Sequence, residues 1–181
     1  MREQGGFSLS EMLIVSAIVA ILLTLGVPSY RYITLNYRMS AEVNGLLGDL
    51  QFARYEAIKE GQPVTVCSSS NGTTCSGSAA WQNGWVIFSN PQLAAQPPVN
   101  SILRIQGAFG SVVLDTFNAN SGIGAVTYNR EGFATTAAGF PNTTFFLNES
   151  TANGAYRRCL LLTPQGVPTT ATHAINPALC P

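Results

Sequence analysis

Gly6, Phe7 and Glu11 combine a small-residue junction, an apolar residue able to serve as a new N-terminus, and a carboxylate inside an apolar run. From Phe7 to Val27 the residues are almost all Leu, Ile, Val, Ala and Met, with Ser and Thr between them. At about 1.5 Å per residue this run spans roughly 30 Å as a helix, one hydrocarbon core. A charge within such a segment costs about 3 kcal/mol on insertion scales for the comparable Asp, and it normally has a partner. This helix offers none within a turn. Cutting the bond after Gly6 would supply one, because Phe7 would then carry a positive α-amine near the same depth. Glu11 of a neighbouring copy could neutralise that amine inside an apolar bundle, and electrostatics would set the register between the helices.

A cleaved secretory signal fits these residues badly. Arg2 is cancelled by Glu3, the apolar run is too long, and the small-residue site Thr24-Leu25-Gly26 is followed by Val27-Pro28.

The cysteines are the next reactive set. There are four, Cys67, Cys75, Cys159 and Cys180, without the C-x-x-C spacing of a metal site. Beside a membrane-crossing segment, an even count favours disulfides in an oxidising compartment. Four cysteines allow three pairings. The local one, Cys67–Cys75 with Cys159–Cys180, is expected because each pair brackets a turn-rich loop. Closing the longer loop would stabilise by about 3 kcal/mol if loop entropy dominates.

Little else suggests catalysis. The sole histidine, His173, lies in a Thr/Ala-rich tail with no Cys, Asp or Glu beside it, and a solvated side chain is expected there. No phosphate-binding loop, nucleophile elbow, metal cluster or paired carboxylates appear, so neither an enzyme nor a cofactor is expected. Charged residues make up 10% of the chain and the net charge is +0, which argues against a global field for nucleic acid or anionic lipid. Arg157 and Arg158, beside Tyr156, are the candidate DNA contact. Alternation along a strand would put them on opposite faces, one of them packing or pairing inward.

These residues need a frame. Val43, Leu46, Leu47, Leu50, Ala53, Ala57 and Ile58 recur at helical spacing, with Glu42, Asp49, Arg54 and Glu56 mostly off that face. One helix from Phe7 to Glu60 is therefore expected, interrupted in its bonding at Pro28 and ended by Gly61 and Pro63. After Pro63 the pattern changes to short β-like runs: VTVCS, WVIFS, SILRI, VVLDTF, AVTYN, TFFLN and RCLLLT. Between them lie turn-forming stretches such as SSSNGTTCSGSA and NANSGIG. The architecture expected is α+β, a long helix laid against an antiparallel sheet. Trp81 and Trp85 are expected in core and turn packing rather than on a binding platform.

The stretch GGFSLSEMLIVSAIVAIL resembles the class III signal of type IV pilins and type II secretion pseudopilins. That resemblance implies cleavage by a prepilin peptidase between Gly6 and Phe7, N-methylation of Phe7, and Glu11 as the assembly carboxylate. Ser10 is a small departure from the family's usual GFTLIE. The globular part narrows the likeness: DLQFARYEAI, PVTVCSSSNGTTCSGSAAWQNGWVIFSN, YNREGFA and RRCLLLTPQG resemble minor pilins of the FimT/FimU/GspH type. The implied organisation is a leader over 1–6, a transmembrane and assembly helix over 7–27, an amphipathic half over 28–61 and a β-rich head over 62–181. The implied partners are other pilins through the N-terminal helix, and the prepilin peptidase. The implied location is the inner membrane with the head in the periplasm, then the pilus at the cell surface. The function expected is a structural minor type IV pilin, with a type II secretion pseudopilin or a DNA-binding minor pilin for DNA uptake in natural transformation as the alternatives.

Some FimT-like minor pilins are implicated in capturing DNA through a G-R-x-R stretch. The matching place here, Gly166-Val167-Pro168-Thr169, has no arginine. After Val27 eight basic residues face seven acidic ones, too few and too scattered for the clustered phosphate contacts that DNA binding needs.

Overall fold

Helical periodicity that opens at Leu9 does not break until Glu60 in the computed structural model, which describes residues 6–110, 115–137, 139 and 142–181. This helix, α1 (Leu9–Glu60), holds 52 residues and runs through Pro28. The proline ring removes the one backbone donor that Thr24 would otherwise receive. Gly61, at φ +65, ends the helix in the left-handed conformation that glycine adopts without a Cβ penalty. The start falls two residues later than expected because Ser8 serves as the cap, its carbonyl accepting the Met12 N–H at 3.2 Å.

The chain divides into two units, residues 1–38 and 39–181. In the first, every described residue from Gly6 to Thr34 is exposed. Two hydroxyls turn back onto the helix: Ser16 donates to the Leu13 carbonyl at 2.9 Å and Thr24 to that of Ile21 at 2.8 Å. Such bonds satisfy these two hydroxyls within the helix, so neither needs a partner outside it.

The second unit packs the rest of α1 on strands. Met39, Val43, Leu46, Leu50, Ala53 and Ala57 are fully or almost fully buried, at the expected three- and four-residue spacing. Two residues depart from the expected face. Asp49, placed off it by periodicity, is buried, and Ile58, placed on it, is half exposed.

Nine strands follow among the described residues. They are β1 (Val64–Ser68), β2 (Gly84–Ser89), β3 (Ile102–Gly107), β4 (Thr116–Ala119), β5 (Ala125–Tyr128), β6 (Ala134–Thr135), β7 (Thr143–Asn148), β8 (Arg158–Leu162) and β9 (Pro168–Thr172). They form two antiparallel sheets rather than one, ordered β3-β2-β1-β5-β6 and β4-β7-β8-β9. Six expected strands appear with ends no more than two residues away. Of VVLDTF, residues 112–114 lie outside the described residues and β4 begins at Thr116. The unexpected β6 has two residues, and β9 opens on proline with no apolar alternation, as a sheet edge permits.

An aromatic seam joins the two sheets. Trp81, in a single 3-10 turn before β2, meets Phe145 of β7 edge-on at 5.1 Å, and Phe117 of β4 lies 6.2 Å from Phe145. Trp85 of β2 stands 6.5 Å from Trp81. Both indoles are buried, and Trp81 Nε1 donates to the Ile123 carbonyl at 2.9 Å. The tryptophans are thus core, as expected. Between them Gly84 sits at φ +101, and a Cβ there would lie 2.5 Å from the Gln106 carbonyl oxygen.

The cysteines are joined Cys67–Cys75 and Cys159–Cys180, each pair with Cα atoms 5.5 Å apart.

Candidate assembly and processing site

Ser8-Leu9-Ser10-Glu11 is an S-x-x-E stretch at the helix start, and its first and last residues hydrogen-bond each other. The Ser8 N–H donates to Glu11 Oε2 at 2.8 Å, and the Glu11 N–H donates to Ser8 Oγ at 3.2 Å. This is a capping box, in which the carboxylate satisfies a donor at the N-cap while the N-cap hydroxyl satisfies one in the first turn. Ser10 Oγ lies 2.9 Å from Ser8 Oγ. Sequence reasoning about Glu11 missed this local partner, although the S-x-x-E spacing signals it. One carboxylate oxygen is engaged in this way, and the other has no hydrogen bond among the described residues. Phe7 and Gly6 lie just before the cap, Phe7 81% exposed.

The stretch DLQFARYEAI does its work through three side chains. Asp49 Oδ2 accepts the Trp85 indole N–H at 2.8 Å, and Asp49 Oδ1 pairs with Arg104 Nη1 of β3 at 2.7 Å. The Arg104 guanidinium lies 4.0 Å from the centroid of the Phe52 ring. These contacts explain the burial of Asp49: a carboxylate enters a core only when charge and hydrogen bonds meet it there. Arg54 Nε donates to the Gly132 carbonyl at 3.0 Å. Nearby Tyr128 is fully buried, and that burial pushes its hydroxyl well above the ordinary phenol value, while Arg54 pulls the other way. Gly166 fits only as glycine here, since a Cβ would lie 2.1 Å from the Gly132 carbonyl oxygen.

Arg157 and Arg158 are both half-buried, and both guanidiniums are engaged. Arg157 Nε donates to Asn148 Oδ1 at 2.6 Å, and its Nη1 donates to the Pro181 carbonyl. Arg158 Nη1 donates to the carbonyls of Arg157 at 3.1 Å and Tyr156 at 3.3 Å. Pairing was expected for one of the two, and both are paired. Arg157 precedes β8 and ties the tail, so strand alternation does not govern it.

His173 is not a solvated side chain. Its Nδ1 lies 2.7 Å from the Cys180 carbonyl oxygen, and its ring abuts Gly154. It joins Arg157 and the Cys159–Cys180 bridge in fastening the last residues. Among the described residues no three His, Cys, Asp or Glu side chains gather where they could hold a metal ion.

Residues 42–166 match the family described as type II transport protein GspH, and residues 1–27 match the prokaryotic N-terminal methylation motif. The fold is similar to that of the type IV minor pilin FimU of Pseudomonas aeruginosa, with a TM-score of 0.60 at 18% identity. The match covers 76% of this chain and 91% of that one. The minor pseudopilin EpsH from the type 2 secretion system of Vibrio cholerae is also similar, with a TM-score of 0.50 at 11% identity. That match covers 74% of this chain and 95% of the other. No curated protein matches the sequence.

Proposed function

The chain belongs to the GspH family and carries an N-terminal methylation motif, and on that premise we propose that it is a minor type IV pilin. It is a structural subunit, held in the inner membrane and then built into a pilus or priming its assembly. The observation that carries this reading is the apolar helix whose described residues stay exposed from Gly6 to Thr34. Only lipid, and later the helices of other pilins, can bury such a surface.

In this reading residues 1–6 are the leader, 7–27 the membrane and assembly helix, 28–61 its amphipathic continuation and 62–181 the head in the periplasm. A prepilin peptidase cuts between Gly6 and Phe7 and methylates the Phe7 amine. Glu11 keeps Oε2 on the Ser8 N–H and turns its other oxygen to the α-amine of a neighbouring pilin. Ion pairing removes both charges from the apolar bundle at once.

The test uses a bacterial host with a prepilin peptidase and a pilus. Glu11→Val leaves leader cleavage intact and weakens incorporation into filaments. Glu11→Gln keeps a hydrogen-bond acceptor for Ser8 without the charge, and it also incorporates poorly. Normal incorporation of both variants refutes the ion pair, and an uncut Gly6–Phe7 bond in the native chain refutes the pilin reading.

The family description and the likeness to EpsH favour a second reading, a pseudopilin of a type II secretion system. Restoration of secretion rather than piliation in a strain lacking the corresponding subunit would select it.

A further inference from the structure

Between β1 and the 3-10 turn at Trp81 the chain makes a tight loop at Asn71-Gly72, with Gly72 at φ +72. Asn71 is exposed, yet its amide oxygen is surrounded by donors. Oδ1 accepts the backbone N–H groups of Thr73 and Thr74, both at 2.9 Å. The Thr74 and Ser69 hydroxyls each lie 3.2 Å away. Asn71 Nδ2 donates to Thr74 Oγ1 at 2.9 Å. Ser69 is 2% exposed and does two things at once, since its Oγ accepts the Gly72 N–H at 3.0 Å while it donates to Asn71 Oδ1.

We propose that Asn71–Gly72 is a self-modifying site, at which this loop drives succinimide formation and converts Asn71 to aspartate or isoaspartate. The Gly72 nitrogen attacks the Asn71 side-chain carbon, the normal route where glycine leaves that nitrogen uncrowded. As the new C–N bond forms, the Gly72 proton passes to Ser69 Oγ, and the Ser69 proton passes to Asn71 Oδ1. The tetrahedral carbon is thus reached without separated charge. The Thr73 and Thr74 N–H groups already on Oδ1 polarise the amide carbonyl toward that attack and stabilise its oxygen as electron density shifts onto it ahead of the arriving proton. The intermediate collapses by breaking the Cγ–Nδ2 bond, with the hydroxyl proton leaving on ammonia. Water then opens the ring at either carbonyl, giving aspartate or isoaspartate. No oxidant or cofactor enters the balance.

Three other Asn–Gly pairs serve as internal references. Asn44–Gly45 lies within α1, Gly84 donates its N–H to the Trp81 carbonyl, and Asn153 Oδ1 accepts the Ala155 N–H. Among the described residues, none of the three has a hydroxyl bridging the glycine nitrogen and the amide oxygen. The product matters for the surface, because no Asp, Glu, Lys or Arg occurs from Gly61 to Leu103. Modification places the first charge in that span. It does so where Gly72 packs on Ile105 of β3, three residues before Cys75.

The test holds the full chain in detergent at neutral pH and follows all four Asn–Gly sites by fragment mass spectrometry, with enzymatic methylation reporting isoaspartate. A reduced, alkylated chain in urea runs in parallel. Asn71 is expected to convert faster folded than unfolded, and faster than Asn44, Asn83 and Asn153. Ser69→Ala is expected to slow it roughly tenfold or more, as loss of a proton relay does, and Ser69→Thr to preserve the rate. Slower conversion of Asn71 in the folded chain than in the unfolded one would overturn the proposal. An unchanged rate in Ser69→Ala would do the same.

Discussion

Asp49 and Trp85, 36 residues apart in sequence, meet at 2.8 Å, carboxylate to indole N–H, where the helix lies on the five-stranded sheet. The same carboxylate holds Arg104, so one acidic side chain fastens α1 to β2 and β3 together. Replacing Asp49 with Ala leaves a buried indole donor unsatisfied, which costs about 2 kcal/mol. Arg104 is 48% exposed and regains water, so the charge contributes less than a buried pair would. Asp49→Asn retains an acceptor for Trp85 and falls between the two. Chemical denaturation of the full chain in detergent, followed by tryptophan fluorescence, measures the order wild type, Asn, Ala.

The Cys159–Cys180 bridge closes a loop with a sequence separation of 21, against 8 for Cys67–Cys75. Loop entropy grows with length, so the double serine variant at 159 and 180 loses about 3 kcal/mol and the one at 67 and 75 less. Differential scanning calorimetry should show both midpoints falling, the first further. An unchanged midpoint on reduction would mean that neither bridge constrains the unfolded chain.

Glu149 closes the turn after β7 by accepting the N–H groups of Thr151 at 2.8 Å and Asn153 at 3.0 Å. Desolvation raises its carboxyl, and the hydrogen bonds from Thr151, Asn153 and Ser150 outweigh it, so the net pKa lies below the ordinary carboxylate value. A lowered folded pKa contributes stability above the unfolded pKa, and that stability is lost as pH falls through the folded one. The Glu149→Gln variant should therefore show a weaker loss of stability on acidification than the wild type. Thermal midpoints taken from neutral pH down through the acid range read the difference.

Arg157 fastens Asn148 and Pro181, so its charge is engaged within the head. A titration of the full chain with duplex DNA, at low and near-physiological salt, should show no binding that weakens on Arg157→Ala or Arg158→Ala. Arg157→Ala should instead loosen the tail, seen as faster amide exchange over the last residues. Salt-sensitive binding lost in either variant would assign the chain to DNA capture despite its missing arginine motif.

What the sequence alone determined is local. A run of apolar residues at helical spacing, a glycine and a proline beyond Glu60, and strands bounded by turn formers are set by neighbours a few positions apart. The N-terminal methylation motif over residues 1–27 is legible for the same reason, and so is the Ser8–Glu11 capping box in its S-x-x-E spacing. The burial of Asp49 was not, because its cause lies on β2 and β3. The same holds for the division into two sheets, which depends on the packing of Trp81 and Phe117 against Phe145. It holds as well for Arg157 and His173, whose partners Asn148, Cys180 and Pro181 come from other segments. Periodicity shows which side of an element is apolar, but only the folded chain decides which polar groups find partners good enough to follow it inside.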